Sequence, residues 1–288
     1  MNNSMRAVWP RELRDPSGTR FDSDKENKDA AVSRDPDRGL TMVIDKGLGR
    51  NTFADVIETA SPYIDCIKFG FGTAPLYRTD MLLYKIDLAK QHGISVMTGG
   101  TLLEIAVQQG IVPAFFDTVC NLGFNALEVS DGTIELSRQK RTELIQEGKK
   151  RGLRVFSEFG KKLSGSLIDA AILADTVELD LAAGAEYVTV EARESGVSVG
   201  IFDKHGECRE DVVDDILKFV PDHRTLIWEA PLKNQQAMLL RKFGSNVHLG
   251  NIAPTEVMAL ETLRRGLRQD TFEFGLKEKT PDEFCYMI

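Results

Sequence analysis

The chain has 288 residues, 42% of them hydrophobic, which is enough to bury a substantial core in one large or two small domains. Its formal net charge of -8 argues against nucleic acid as a partner. No apolar run approaches the roughly 18 residues a membrane helix needs, so no membrane partner is expected. The first residues, MNNSMRAVWPRELRDPSG, hold no apolar signal core, and no secretion signal is expected. Cys66, Cys120, Cys208 and Cys285 are widely spaced with no CxxC or Cys/His ligand pattern, which points to reduced, buried thiols and a cytoplasmic location. The closing CYMI has the outline of a prenylation box, but Tyr286 is not aliphatic and no polybasic stretch precedes it; an ordinary tail is the better reading.

Residues 1–37 are rich in Asp, Arg, Lys, Asn and Ser and read as a polar, loosely packed extension. A chain starting near Asp35 is therefore expected to melt within a few degrees of the full chain. From residue 38 the character changes. Eight short apolar runs follow: LTMVID (40–45), DCIKF (65–69), ISVMT (94–98), ALEVS (126–130), RVFSE (154–158), YVTVE (187–191), TLIWE (225–229) and VHLGN (247–251). Helical spacing fills the intervals, as in 78–92, where Leu82, Ile86 and Ala89 share a face behind Thr79 as a candidate N-cap. Ser137 is a candidate cap for 138–151, and Ser166 for 167–182. Gly93, Gly123, Gly152, Gly184 and Gly244 each stand just past a helical stretch, where a left-handed residue closes a helix.

Strand alternating with helix implies parallel pairing through right-handed crossovers. Eight such units predict a single-domain (β/α)₈ TIM barrel over 38–274, with 275–288 as a C-terminal tail. A doubly wound open sheet is the rival, but the turn DKGLGRN after the first run is a poor dinucleotide-binding loop.

In such a barrel the active site lies at the C-terminal ends of the strands. Those ends carry Asp45 and Lys46; Lys68; Gly99 and Gly100; Glu128; Glu158, then Lys161 and Lys162; Glu191, then Arg193, Ser195 and Gly196; Glu229; and Asn251. Charge inside an apolar strand is costly unless paired or metal-bound. For each residue alone an ion pair at the barrel mouth is an adequate explanation; together they are better explained as a lined site. Lysines and an arginine converging in an acidic protein point to a polyanionic small-molecule substrate. The carboxylates suit a hard divalent cation such as Mg²⁺. The glycine-rich turns GGT and RESG offer backbone N–H groups to phosphate, which places Gly99, Gly100, Ser195 and Gly196 among the substrate contacts, with Asn251 beside them. No Ser/His/Asp set is apparent, and of the histidines only His248 falls in a strand near the expected site.

The segments RGLTMVIDKGLG, YIDCIKFGFGT, GGTLLE, ALEVSDGTIELS, SEFGKK, DLAAGAEYVTVEARESG, IWEAPLKNQQ and LETLRRGLRQDTF resemble, in order, the motifs of the phosphosulfolactate synthase family. The resemblance implies a (β/α)₈ barrel that adds sulfite to phosphoenolpyruvate with Mg²⁺ at the start of coenzyme M biosynthesis, as a carbon–sulfur lyase acting in the synthetic direction. By the same resemblance Lys162 is the acid that protonates C2, with Lys161 a helper or a surface residue. Lys46, Lys68 and Arg193 take phosphate and sulfite, and Glu128, Glu158, Glu191 and Asp45 are the metal candidates. A homo-oligomer is expected. The sequence departs from the family pattern at Phe71, where Trp is usual, and at His248 and Gly250, where Asn and Ala are usual. The family also contains plant heat-stress-associated relatives, so a non-catalytic barrel stays open, as does a barrel enzyme that adds a different nucleophile.

Overall fold

The computed structural model describes residues 9–20, 38–161, 165, 166, 168–193 and 195–276. A short helix, α1 (Arg11–Arg14), precedes eight strands: β1 (Thr41–Asp45), β2 (Cys66–Phe69), β3 (Ser95–Thr98), β4 (Ala126–Val129), β5 (Arg154–Phe159), β6 (Tyr187–Val190), β7 (Leu226–Glu229) and β8 (Leu249–Ile252). Between and after them run α2 (Arg50–Ala60), α3 (Thr79–Gln91), α4 (Gly100–Gln108), α5 (Val112–Leu122), α6 (Arg138–Lys150), α7 (Ala170–Ala183), α8 (Glu210–Phe219), α9 (Lys233–Phe243) and α10 (Val257–Arg264). The strands form one parallel sheet ordered β3-β2-β1-β8-β7-β6-β5-β4. Asn125 bridges the remaining seam: its N–H donates to the Val96 carbonyl (3.3 Å), and its side-chain oxygen accepts the Val96 N–H (2.8 Å). The result is a nearly closed (β/α)₈ barrel. Among the described residues no helix is long and apolar enough to cross a membrane.

Side-chain alternation explains the layers. Val43, Ile67, Val96, Leu127, Val155, Val188 and Trp228 face outward, where the helices cover them. Met42, Cys66, Met97, Ala126, Phe156 and Ile227 face inward and plug the lower barrel. Burial pushes the Cys66 thiol up to about 12, so it stays protonated.

Helix ends follow local chemistry. Ser137 caps α6 by accepting the Lys140 N–H (3.2 Å). The expected cap of α7 is corrected: Asp169 accepts the N–H groups of Ala171 and Ile172 (both 3.0 Å), while Ser166 donates to the Lys161 carbonyl. Thr79 lies inside the first turn of α3, and Arg78 holds the cap position. The five helix-closing glycines all have left-handed φ values, from 69° at Gly93 to 113° at Gly184.

The expectation of a loosely packed N-terminal extension is corrected for residues 9–20. They lie against α10 and the loop that leads into β8. The Arg20 guanidinium, fully buried, donates to Glu261 at 2.7 Å, the Ser17 N–H donates to the Arg265 carbonyl at 3.1 Å, and the Thr19 and Ser245 hydroxyls are 2.7 Å apart.

Candidate active site

Two residues above the apolar plug, the same inward-facing positions carry Lys68, Glu128, Glu158 and Glu229, all buried. The register that places Cys66, Ala126, Phe156 and Ile227 inside the barrel therefore places four charges inside it too. The Lys68 ammonium donates to Glu128 Oε1 and Glu229 Oε1, each at 3.0 Å, and stands 3.5 Å from Glu158 Oε2. The second oxygens of two glutamates take backbone donors: Glu128 Oε2 accepts the Gly100 N–H (2.7 Å), and Glu229 Oε2 accepts the Ala192 N–H (2.9 Å). Glu191, just past β6, accepts the Arg193 N–H at 2.5 Å. Burial pulls the Lys68 ammonium down, but Glu128, Glu229, Glu158 and Glu191 together outweigh that and hold it well above the ordinary lysine value. Lys68 is a fixed positive charge near neutral pH, with its donors committed to carboxylates.

This layer floors a cavity of about 370 Å³ at the C-terminal ends of the strands. Gly100 and Thr101, the first residues of α4, bring the positive end of that helix to the wall. Gly100 has no room for a side chain: an added Cβ would stand 2.3 Å from Ser130 Oγ. Arg193 enters from the loop after β6, and Thr133 from the loop after β4. Among the described non-glycine residues, four have left-handed backbone: Phe71 (φ 54°), Arg193 (60°), Ser198 (57°) and Asn251 (55°). Three of them line this cavity, so the backbone strain of the molecule is concentrated where a ligand would sit.

A second ring of contacts fixes the walls. The Glu104 carboxylate, on α4 and 1% exposed, accepts the Ser130 hydroxyl and the N–H groups of Thr133 (2.8 Å) and Ile134 (3.0 Å). It thereby joins α4 to the loop after β4. The Arg141 guanidinium is held by Asp180 and Asp131 and donates to the Glu158 carbonyl at 2.9 Å. The Lys161 ammonium donates to the carbonyls of Asp131 (2.8 Å) and Ile134 (3.3 Å).

Of the residues expected at the site, Lys68, Glu128, Glu158, Glu191, Arg193, Gly99, Gly100 and Asn251 line the cavity. Others do not. Asp45 accepts the Lys85 ammonium (2.7 Å) and the N–H groups of Gly47 and Leu48 (both 2.8 Å), so this carboxylate shapes the loop after β1 and is removed from the metal candidates. Lys46 is exposed at the rim, 5.7 Å from the Phe71 ring centroid. The loop with Ser195 and Gly196 turns toward α9, where the Gln235 amide donates to the Gly196 carbonyl at 2.7 Å. Lys161 braces a loop from outside, and Lys162 lies outside the described residues. His248 is corrected outright. It sits at the opposite end of the barrel, its Nδ1 accepts the Leu40 N–H (2.8 Å), and burial pushes its pKa down to about 4. The sequence had shown Glu229 at a strand end without a role; its place beside Lys68 comes from the same inward alternation. Glu104 and Thr133 carried no signal, because their importance depends on contacts across the chain; Phe71 stood out only as a departure from the family pattern.

The donor set suits a hard divalent cation: carboxylates Glu158 and Glu191 and the Asn251 amide face one cavity, and four carboxylates stand against one ammonium. Among the described residues no group of three or more His, Cys, Asp or Glu side chains is arranged to hold a metal ion. Mg²⁺ does not require such a group, since it is held by one or two carboxylates, water and substrate oxygens.

Residues 30–270 match the family described as (2R)-phospho-3-sulfolactate synthase (ComA). The chain is 44% identical over 235 residues to the phosphosulfolactate synthase of Methanothermobacter thermautotrophicus, covering 81% of this chain and 91% of that one. It is 44% identical over 239 residues to the phosphosulfolactate synthase of Methanocaldococcus jannaschii, covering 82% and 94%. Among solved structures, the YdjI aldolase from Escherichia coli K12 superposes with a TM-score of 0.51 at 16% identity, over 83% of this chain and 84% of that one, a likeness of fold alone. A parallel barrel with charge at its strand ends, matched along most of its length by two synthases, places this chain in the phosphosulfolactate synthase family.

Proposed function

We propose that this chain is a cytoplasmic carbon–sulfur lyase that catalyses the Mg²⁺-dependent addition of sulfite to phosphoenolpyruvate, giving (2R)-2-O-phospho-3-sulfolactate. The observation that carries the reading is the buried layer in which Lys68 holds three carboxylates beneath a cavity walled by Arg193 and the N-terminus of α4. A polyanionic substrate is repelled by an excess of carboxylate, so a layer of this kind favours an anion only together with a bound cation. Glu158 and Glu191 are the residues to hold Mg²⁺, which would neutralise the substrate carboxylate as charge builds on it.

The sulfur lone pair of sulfite attacks the methylene carbon C3, and a C–S bond forms. The C2=C3 π electrons move onto C2 and into the carboxylate. A proton then bonds to C2, and the phosphate ester stays intact. Arg193 and the positive end of the α4 dipole are placed to attract anionic oxygens. Lys68 is not the acid, since the carboxylates around it keep its proton on. Lys162 fills that role by its position in the SEFGKK motif.

Incubation with phosphoenolpyruvate, sulfite and Mg²⁺, followed by mass detection, is expected to show phosphosulfolactate. No product at any sulfite concentration would leave a different nucleophile or a non-catalytic barrel. Chelation is expected to abolish turnover and added Mg²⁺ to restore it. Full turnover in chelator would make Glu158 and Glu191 ion-pair partners only.

Lys162→Ala is expected to cut turnover by about 10² or more with little change in melting temperature, the scale for losing a positioned acid. Lys161→Ala removes a brace on two loop carbonyls and is expected to cost much less. Unfolding of the Lys162 variant, or greater damage from the Lys161 variant, would reassign the acid.

A further inference from the structure

Strand β8 does not alternate regularly. Leu249 packs outward with Val43 and Trp228. Gly250 faces inward: a Cβ added there would stand 2.8 Å from Met42 Cε and 3.1 Å from Ile227 Cγ2, both in the interior plug. Strict alternation would next turn residue 251 outward and residue 252 inward. The structure shows the reverse. Asn251 lines the cavity, and Ile252 joins Leu249 in the outer cluster.

The pairing with β1 records the cause. Thr41 pairs with Leu249 and Val43 with Ile252, so two steps on β1 oppose three on β8. This is a β-bulge with one extra residue, a device that redirects a side chain beside a binding site. Asn251 supplies the left-handed backbone the bulge needs (φ 55°), which asparagine tolerates better than other side-chain-bearing residues.

The redirected amide leaves its oxygen unsatisfied. Asn251 is 5% exposed, and among the described residues its Oδ1 has no hydrogen-bond partner. An unsatisfied buried amide oxygen on a strained backbone costs stability twice. A regular strand with an apolar residue at 251 would avoid both costs, so the arrangement calls for a ligand that completes it.

We infer that the β8 bulge exists to present the Asn251 amide to the substrate, and that Asn251 is a positioning residue donating a hydrogen bond to an anionic oxygen of the enolpyruvyl group. The inference rests on the proposed phosphoenolpyruvate chemistry. In a cavity floored by carboxylates, a neutral donor grips an oxyanion without adding charge that the glutamates would neutralise. The amide oxygen, which has no partner among the described residues, would accept from a water bound with the substrate.

The test uses three variants of the full chain. Asn251→Gly keeps the left-handed backbone at no steric cost and removes the amide. Asn251→Asp keeps the shape and removes the donor. Asn251→Ala keeps the strain without the amide. Phosphoenolpyruvate binding is measured by titration calorimetry in Mg²⁺ without sulfite, beside thermal melts of the free protein.

The glycine variant is expected to melt within about 2 °C of the unsubstituted chain or above it, since strain and an unsatisfied group are both removed. Its affinity for phosphoenolpyruvate is expected to fall about 10- to 100-fold, the loss of one hydrogen bond to a charged group. The aspartate variant is expected to fall at least as far, and the alanine variant to melt lowest of the three. Unchanged affinity in the glycine variant would overturn the inference and leave the proposed reaction standing. A large fall in its melting temperature would make the bulge a structural element only. No binding or turnover of phosphoenolpyruvate by the unsubstituted chain would overturn the proposed reaction and this inference with it.

Discussion

Lys68→Met is expected to destabilise the fold by about 3–5 kcal/mol, the cost of stripping the partner from buried charge. For a chain of this size that is a fall in melting temperature of roughly 10 °C. The ammonium bonds Glu128 and Glu229 at 3.0 Å and neighbours Glu158 at 3.5 Å, so its removal strands carboxylates from three strands against one another. The pH dependence has a definite sign. The Lys68 pKa is raised in the folded state, so its contribution is complete below the ordinary lysine value of 10.5 and is lost only as pH rises through the folded value. The unsubstituted chain therefore holds this contribution across the neutral range. In the variant, the glutamates lack a counter-charge and take up protons more readily than in the unfolded chain. Their penalty is full above the raised pKa values and vanishes below the unfolded ones, so the deficit shrinks in acid. Thermal melts in chelator between about pH 4 and pH 8 read this directly. A variant that melts with the parent at neutral pH would show that hydrogen bonds from Gly100 and Ala192, rather than Lys68, hold the layer.

The parts of this molecule that follow from local periodicity were legible in the sequence. The eight apolar runs and the structural strands agree to within two residues, because burial on both faces selects β-branched and apolar side chains there. The closing glycines were legible for the same reason, since a left-handed residue is a local requirement. The charged layer was half legible. Lys68, Glu128, Glu158 and Glu229 announce themselves as charges in apolar runs, but a run of residues does not say which charge meets which. Lys68 reads as a free cation for phosphate until the barrel closes and sets it among glutamates from β4, β5 and β7. Asp45 reads as a metal ligand until Lys85, forty residues on, takes it. The bulge at Asn251 was not legible, because register between β1 and β8 is a property of two strands some two hundred residues apart. His248 misled for the complementary reason: the start and the end of a four-residue strand look alike in sequence but stand at opposite faces of the barrel.

The N-terminal segment carries the remaining large effect. A chain beginning near Asp35 is expected to melt about 5–10 °C below the full chain, against the near-neutral outcome its composition implies. Composition counts apolar surface, and 9–20 offers little of it. The segment attaches instead through one buried guanidinium. Arg20 bonds Glu261 through Nε (3.2 Å) and a terminal nitrogen (2.7 Å), its own N–H is held by Asp15 (2.9 Å), and Pro16 packs against Gly275, which has no room for a Cβ. The loss falls below the full cost of an unpaired carboxylate for two reasons. Arg265 still bonds Glu261 at 2.8 Å, and removing Arg20 relieves Arg264, whose pKa burial and then the Arg20 charge push down to about 9. About 2–3 kcal/mol is left. The sign with pH is opposite to that of Lys68. Burial tends to raise the Glu261 carboxyl, but Arg20 and its neighbouring arginines hold it below the ordinary glutamate value of 4.5. Its contribution is thus present above 4.5 and is lost as pH falls through the lowered value, so the truncated and full chains converge in acid. Arg20→Ala should reproduce most of the effect in the intact chain. Equal melting of truncated, Arg20→Ala and full chains at neutral pH would show that the contact between segment and barrel is too weak to matter; a truncation far worse than Arg20→Ala would move the weight from the ion pair to the Pro16 and Ser17 backbone contacts.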